Sequence, residues 1–552
     1  MPALGAGAKL PDKVDKALAG ELKRGAATHK VIITFKPGQR AAGKQALLQR
    51  RGNKIKREHA SLNVLVAEIA TADVQAFARR KGVKAISLDG PVRAQQLPDP
   101  DPSPVRTTTL RETLGLPTVA DPLAPTGSSI GVAIIDSGIA PNADFTGRIT
   151  GFYDFINGAG VPTAPYDDYG HGTHVAGLVG SNGILSDNAF QGIAPSVRLV
   201  GLKVLDGTGA GSTSDVIAAL QFATANKDQL NIQVVNMSLG HPIFARAADD
   251  PLVQAVQQAT AAGLIVVTSA GNVGRNPTTG VVGYAGITSP CNAPSAICVG
   301  AANTYQTEAR SDDDVALYSS RGPSWYDGFA KPDLLAPGHK LPSDTSVDSY
   351  LYQTLLTSRG QSANGQPLLS LSGSSMAAGV ASGVVALVLD THNSNGFSQQ
   401  APLTANAVKA ILQYSAIPVS GANVLEQGAG EMNAAGAVAL AASIDTSQPA
   451  GSWWLTQGVT PSTLIGGETN SWAQNVVWGD SVLDGSVLFS SNDVWSNNIV
   501  WGENIIWGEN IIWGENIVWG ENIIWGENII WGENIIWGEN IIWGESTNEG
   551  VF

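Results

Sequence analysis

Residues 128–136 read SSIGVAIID, a short and continuously apolar run that ends on a carboxylate. A run of this kind is a strand buried on both faces. Three more follow: SVRLVGLKVLD at 196–206, IQVVNMSLG at 232–240 and LIVVTSAGN at 264–272. Between them lie helices with legible ends. TSDVIAALQFATANKD, 213–228, opens on a hydroxyl cap, and PLVQAVQQATAAG, 251–263, opens on Pro and stops on Gly. Buried strands alternating with helices specify a mostly parallel sheet covered on both faces, an α/β fold. Such sheets bind ligands beyond the carboxyl ends of their strands. Three strands here end on polar residues, Asp136, Asn236 with Ser238, and Asn272, so those side chains belong at one edge. The stretch 371–390, LSGSSMAAGVASGVVALVLD, is a Gly-Ser turn leading into a small-residue helix that fits under the sheet. It is too short and too rich in Ser and Gly for a membrane span.

The chain before this sheet differs in kind. Residues 30–94 read as strand (KVIITFKPG), helix (QRAAGKQALLQRRG), strand (ASLNVLVAEIA), helix (TADVQAFARRKG) and strand (VKAISLDGPV), a small α+β unit. A Pro- and Asp-rich segment, QQLPDPDPSPVRTTT at 95–109, follows and is expected to be exposed and extended. Charge separates the two parts. Residues 22–95 carry a balance of +12, and residues 96–552 carry −26, within a total of −14 over 552 residues. Opposite fields steer association, so the two parts are expected to dock. The acidic majority repels phosphate, and the basic block lacks interleaved aromatics, which excludes a nucleic-acid partner. No apolar run reaches 18 residues, and the first twenty lack a signal-peptide apolar core, so neither a membrane span nor a signal peptide is visible at this start. The two cysteines, Cys291 and Cys298, are spaced either to close a disulfide or to stay as buried thiols.

Three segments bear nucleophile chemistry: Asp136 in VAIIDSGI, His171 in DDYGHGTHVAGLVG and Ser375 in LSGSSMAAG. Serine catalysis needs a base to take the hydroxyl proton and a carboxylate to orient that base. The order Asp, His, Ser is one of three orders known for this geometry. The strings IIDSGI, HGTHVAG, VVNMSLG, SAGN, YSSRGPSWYDGFAKPDLLAPG and SGSSMAAG occur in sequence from residue 134 to 379. Together they resemble the subtilisin-like serine protease family. The resemblance implies a three-layer sandwich with a ferredoxin-like inhibitory propeptide before it. It implies catalysis by Ser375, His171 and Asp136, with Asn272 donating to the oxyanion and His174 structural. It implies substrate binding along Ser238, Leu239 and Gly240 and along Thr268, Ser269, Ala270 and Gly271. It implies Gly283 at the base of the P1 pocket, for a broad, mostly apolar preference. Self-cleavage is expected near residues 94–110.

The departures are specific. Ser374 stands where the family has Thr and keeps the hydroxyl, while Ala378, Gly379 and Val380 replace Ser-Pro-His. The loop LVGSNGILSDNAFQGIAPS, 178–196, lacks the family's calcium-loop pattern; Asp187 and Asn188 are its candidate oxygen donors, and no cofactor is required. Residues 339–370 look like an insertion.

The C-terminus carries a strict hexad, WGENII, with Trp at 501, 507, 513, 519, 525, 531, 537 and 543. IIW favours strand and GEN favours turn, so short stacked strands fit it best. It offers no nucleophile with a base. A surface-attachment or self-associating module is the preferred reading over a carbohydrate platform or a stabilising cap. The chain thus divides into a 1–29 extension, the 30–94 propeptide, a 95–114 linker, a 115–445 catalytic domain, a 446–500 β-rich connector and the 501–545 repeat. It reads as a secreted or cell-surface, self-processing endopeptidase acting on proteins and peptides. The alternative is a surface structural or adhesion protein with an inactive protease fold.

Overall fold

The computed structural model describes residues 12–95, 97–98, 109–117, 124–156, 160–276, 278–395, 402–447, 455–456, 458–478 and 481–484. The WGENII repeat lies outside the described residues. At the centre is a nine-stranded sheet. Its order is Asp314–Val315, Ile297–Asn303, Ile265–Ser269, Val234–Met237, Gly131–Asp136, Arg198–Lys203, Ile149–Asp154 and Val161–Pro162, with Leu334–Pro337 beside Ile297–Asn303. The inner pairs are parallel, and the short strands Asp314–Val315 and Val161–Pro162 are antiparallel. Gly131–Asp136 is buried at every position, which is why its sequence shows no alternation.

Two helices, Thr213–Asn226 and Pro251–Ala261, cover one face. Val216, Leu220, Val253 and Val256 pack there against Ile135, Leu202 and Val266. Both helices are capped by the residue just before them: Ser212 accepts from Asp215 N, and Asp250 accepts from the N–H groups of Leu252 and Val253. The other face carries His171–Gly180, Ser374–Ser394, Ala405–Tyr414 and Ala434–Ala442. Ser374–Ser394 is the one described helix long and apolar enough to cross a membrane, but it is buried in the core. Its small residues permit that position: a Cβ on Gly383 would stand 2.5 Å from Ile193 Cβ, and one on Gly379 3.3 Å from Val175 Cγ1. The helix runs unbroken through 378–380, where the family's Pro is absent.

The basic unit is a four-stranded antiparallel sheet in the order Lys54–His59, Val64–Ala70, Thr28–Phe35, Val83–Leu88, with helices Arg40–Leu48 and Thr71–Ala78. Lys54–His59 is a strand absent from the sequence reading. Its KIKREH pattern is mostly charged because it is an edge strand with an exposed face. The unit also begins earlier than expected. Helix Lys16–Glu21 places Leu18 in its core, so residues 12–24 are part of this body rather than a free extension.

The basic unit docks through both apolar and charged contacts. Ile32, Leu62, Val64 and Val92 share a cluster with the helices at 213–226 and 251–261. Arg57 pairs with Asp215 at 2.6 Å, Lys84 with Asp249 at 3.3 Å, and Asp89 accepts from Ser214 N at 2.9 Å. The linker expectation needs one correction. Leu110 and Leu114 are buried in the main core, and the buried Arg111 donates to Gly192 O and Ile193 O, so 110–114 belong to the catalytic body. Beyond residue 445, Trp472 is buried, with its Nε1–H donating to Thr463 Oγ1 at 2.8 Å.

Gly383→Val tests the helix packing. Overpacking against Ile193 is expected to cost about 1–3 kcal/mol in urea unfolding. An unchanged midpoint would contradict the close approach.

Candidate active site

Each strand end delivers one polar group. Gly131–Asp136 ends on Asp136, and the chain then turns through Gly138, whose φ of 127° favours glycine and whose Cβ would stand 2.1 Å from Tyr166 O. Ser137 Oγ accepts from Gly172 N at 2.9 Å, so the turn grips the first turn of the His171 helix. Asp167 fixes that helix from outside: its carboxylate accepts from Gly170 N at 2.7 Å, Thr173 N at 2.8 Å and Thr173 Oγ1 at 2.7 Å. Lys203, buried, donates to Ser137 O at 2.5 Å and to Asp168 Oδ1 at 2.6 Å. Sequence analysis missed Asp167 and Lys203 as supports. The carboxylate just before HGTH was the available signal for the first; the second sits inside an apolar strand and had none.

With the turn fixed, His171 Nδ1 donates to Asp136 Oδ1 at 2.7 Å, both side chains being fully buried. Asp136 Oδ1 also accepts from Ser137 N at 2.7 Å. His171 Nε2 is buried and has no hydrogen-bond partner. His174, one turn on, is of a different kind. Its Nε2–H faces Leu341 O and Leu369 O, each at 3.0 Å, and burial with the nearby His171 pushes its pKa down to about 3. It is a neutral structural histidine.

Ser375 lies in the first turn of the helix Ser374–Ser394, where the helix dipole is positive. Its Oγ donates to Ser238 O at 3.0 Å, and Ser238 Oγ donates to Ser375 O at 2.9 Å. The neighbouring Ser374 uses the hydroxyl it keeps: its Oγ accepts from Gly271 N at 3.0 Å. Ser374 N donates to Asn272 Oδ1 at 2.9 Å, which aims the amide nitrogen away. Asn272 Nδ2 is buried without a hydrogen-bond partner. A buried donor left unpaired beside a nucleophile suits an oxygen that acquires charge during reaction.

The expected binding edges come together. Strand Pro91–Ala94 lies between Ala210–Ser212 and Leu239–Pro242, antiparallel to both, with Arg93 opposite Gly240 and Ala94 opposite Leu239. Thr268, Ser269, Ala270 and Gly271 run from the strand end toward Asn272, and Ser269 Oγ touches Gln95. Gly283 stands apart from that contact. It lines a cleft of about 1520 Å³ with Asn272, Val273, Tyr318 and His339, and a Cβ there would meet nothing within 4 Å. Cys291 and Cys298 form a buried disulfide, which resolves the two readings of the pair. Asp187 and Asn188 are both exposed, and Asn188 Oδ1 accepts from Gln191 Nε2 at 3.0 Å. Among the described residues no group of three or more His, Cys, Asp or Glu is set to hold a metal ion.

The subtilase family model matches residues 127–442. Serine protease AprX of Bacillus subtilis is 33% identical over 419 residues, covering 74% of this chain and 87% of that protein. Subtilisin E of the same species is 29% identical over 374 residues, covering 66% and 81%. Among solved structures, fervidolysin from Fervidobacterium pennivorans aligns with a TM-score of 0.56 at 19% identity, covering 79% of this chain and 62% of its own, a likeness of fold.

Asn272→Ala is expected to lower kcat by about 10²–10³ with little change in KM, because the donor acts on charge that develops only in the transition state. A rise in KM at unchanged kcat would place Asn272 outside the oxyanion site.

Proposed function

The chain belongs to the subtilase family and is a serine endopeptidase, and from that premise we propose how its own residues divide the work. Ser375 is the nucleophile, His171 its base and Asp136 the group that orients the base. The observation that carries this is the 2.7 Å bond from His171 Nδ1 to Asp136, which leaves Nε2 as the imidazole's remaining basic nitrogen. The Ser375 hydroxyl turns from Ser238 O to Nε2, gives up its proton and attacks the scissile carbonyl. Asn272 Nδ2 and the Ser375 backbone N–H receive the oxyanion. The imidazolium returns the proton to the leaving amine, the C–N bond breaks, and water resolves the acyl-enzyme through the same base. The reaction calls for no cofactor.

The substrates are proteins and peptides bound as an added strand along Ser238–Gly240 and Thr268–Gly271. The P1 pocket takes uncharged, mostly apolar side chains with broad selectivity. Residues 12–94 are the intramolecular inhibitor. In support, the four strands and two helices between residues 28 and 88 follow the order of a ferredoxin-like unit, and Pro91–Ala94 occupies the substrate's own pairing edge. Self-cleavage after this segment matures the enzyme. The disulfide Cys291–Cys298 supports a secreted or cell-surface site of action, since such bonds persist in oxidising compartments. The WGENII repeat serves self-association or surface attachment. Sedimentation of the isolated repeat tests that; a monomer at high concentration contradicts self-association.

Intact-mass spectrometry of the purified protein beside Ser375→Ala tests the maturation. The wild type is expected to lose about the first hundred residues and the variant none, because the triad serine makes the cut. Loss in both, or in neither, contradicts self-processing. Peptide-library profiling checks the pocket, and a Lys or Asp preference at P1 contradicts it.

A further inference from the structure

We propose that Gln95 is the residue before the bond the enzyme cuts in its own chain, and that the P1 pocket receives its carboxamide between Ser269 and Thr288. This rests on the reading of residues 12–94 as the inhibitor of an active protease.

The chain is anchored on both sides of Ser375. Upstream, Arg93 pairs with Gly240 and Ala94 with Leu239, and Ala94 N donates to Gly209 O at 3.2 Å. Leu239 directly follows Ser238, the residue whose carbonyl holds Ser375 Oγ. Downstream, Leu97 pairs with Ser372 and Pro98 with Leu371, just before the turn into the nucleophile helix. In sequence, only the three peptide bonds from Ala94 to Leu97 lie between these anchors, so the bond that Ser375 attacks is one of them.

The Gln95 side chain selects among the three. Its Nε2 donates to Thr288 Oγ1 at 3.1 Å, and its Oε1 accepts from Ser269 Oγ at 3.1 Å. Ser269 is buried and lies three residues before Asn272. Gly240 closes the other side: a Cβ there would stand 2.7 Å from Gln95 Nε2. A side chain so held, one residue past the paired strand, belongs to the residue that carries the scissile carbonyl.

The hydroxyls also distinguish an amide from its acid. Thr288 Oγ1 spends its own proton on Ala270 O at 3.2 Å, so it presents a lone pair to the pocket. Ser269 Oγ presents a proton. A carboxamide supplies one donor and one acceptor and satisfies both. A carboxylate sets an acceptor against the Thr288 lone pair and brings a charge that no cation in these contacts offsets. A site that hydrogen-bonds its substrate rejects the mismatched isostere more strongly than an apolar site rejects an extra methylene. Glutamine is therefore favoured over glutamate at P1 within the broad, uncharged class. In the cut, Ser375 Oγ bonds to the Gln95 carbonyl carbon and the C–N bond to Gln96 breaks. The amine of Gln96 leaves with the proton from His171, and water frees the Gln95 carboxylate.

The test is the mass of the N-terminal fragment early in the processing of the full-length chain, for wild type, Gln95→Glu and Gln95→Met. Internally quenched peptides with Gln or Glu before the cut are then compared on the mature enzyme. The proposal expects a fragment ending at Gln95, processing of Gln95→Glu slowed at least tenfold, Gln95→Met slowed less, and a kcat/KM at least tenfold higher for the Gln peptide. The peptide comparison stands even if a variant misfolds. A wild-type fragment with another end, or equal rates for Gln and Glu, overturns the assignment while casein hydrolysis keeps the protease reading. A wild type that neither processes itself nor hydrolyses casein overturns both.

Discussion

The buried hydrogen bond between His171 and Asp136 is the constraint on which the rest of the molecule depends. A carboxylate and an imidazole are held fully out of water, and that desolvation is tolerable only when the polar atoms around them are satisfied. Asp136 is met by Ser137 N, and the His171 helix is held by Asp167 and by Ser137 Oγ. The turn that makes these bonds requires Gly138 and Gly172, since a Cβ on Gly172 would stand 2.1 Å from Gly138 O. The large parallel sheet is the rigid body that aims one strand end, one helix start and one turn at the same point. His171 Nε2, Asp136 Oδ2 and Asn272 Nδ2 are among the buried polar atoms left without hydrogen-bond partners. Two of these, Nε2 and Nδ2, are the atoms that the proposed mechanism uses.

The same sheet edge that would bind a substrate is occupied by the chain's own residues. The basic unit brings charge that finds Asp215 and Asp249, and apolar side chains that join the cluster on one face of the sheet. Arg57–Asp215 is half-buried and Lys84–Asp249 exposed, and pairs open to solvent contribute little each, so orientation rather than affinity is their main effect. The apolar interface holds the unit in place, and the strand Pro91–Ala94 carries the chain into the cleft. On the proposed reading, inhibition and substrate recognition share one geometry, and the segment paired along that edge indicates what the site accepts.

Much of this was legible in the sequence because the strongest signals were local. Buried strands read as apolar runs, a hydroxyl and a proline marked the starts of the helices at 213 and 251, and the motif strings singled out Asp136, His171, Asn272 and Ser375. What escaped was the part fixed by tertiary context. Lys54–His59 hid because an edge strand facing solvent has no apolar alternation. Leu110 and Leu114 were read with a Pro-rich linker because their burial depends on the distant helix Ala434–Ala442 and its neighbours. The pairing of Gln95 with Ser269 and Thr288 joins residues more than 170 positions apart, a relation that no spacing rule expresses. The two cysteines were equally compatible with a bond or two thiols until the fold placed them side by side.

The central claim is that Asp136, His171 and Asn272 together make Ser375 a nucleophile. Treating the mature protein with a fluorophosphonate and mapping the adduct by peptide mass spectrometry tests it most directly. The account predicts a single adduct on Ser375, greatly slowed in a His171→Ala variant. No adduct on the mature protein, or one on another serine, would contradict it.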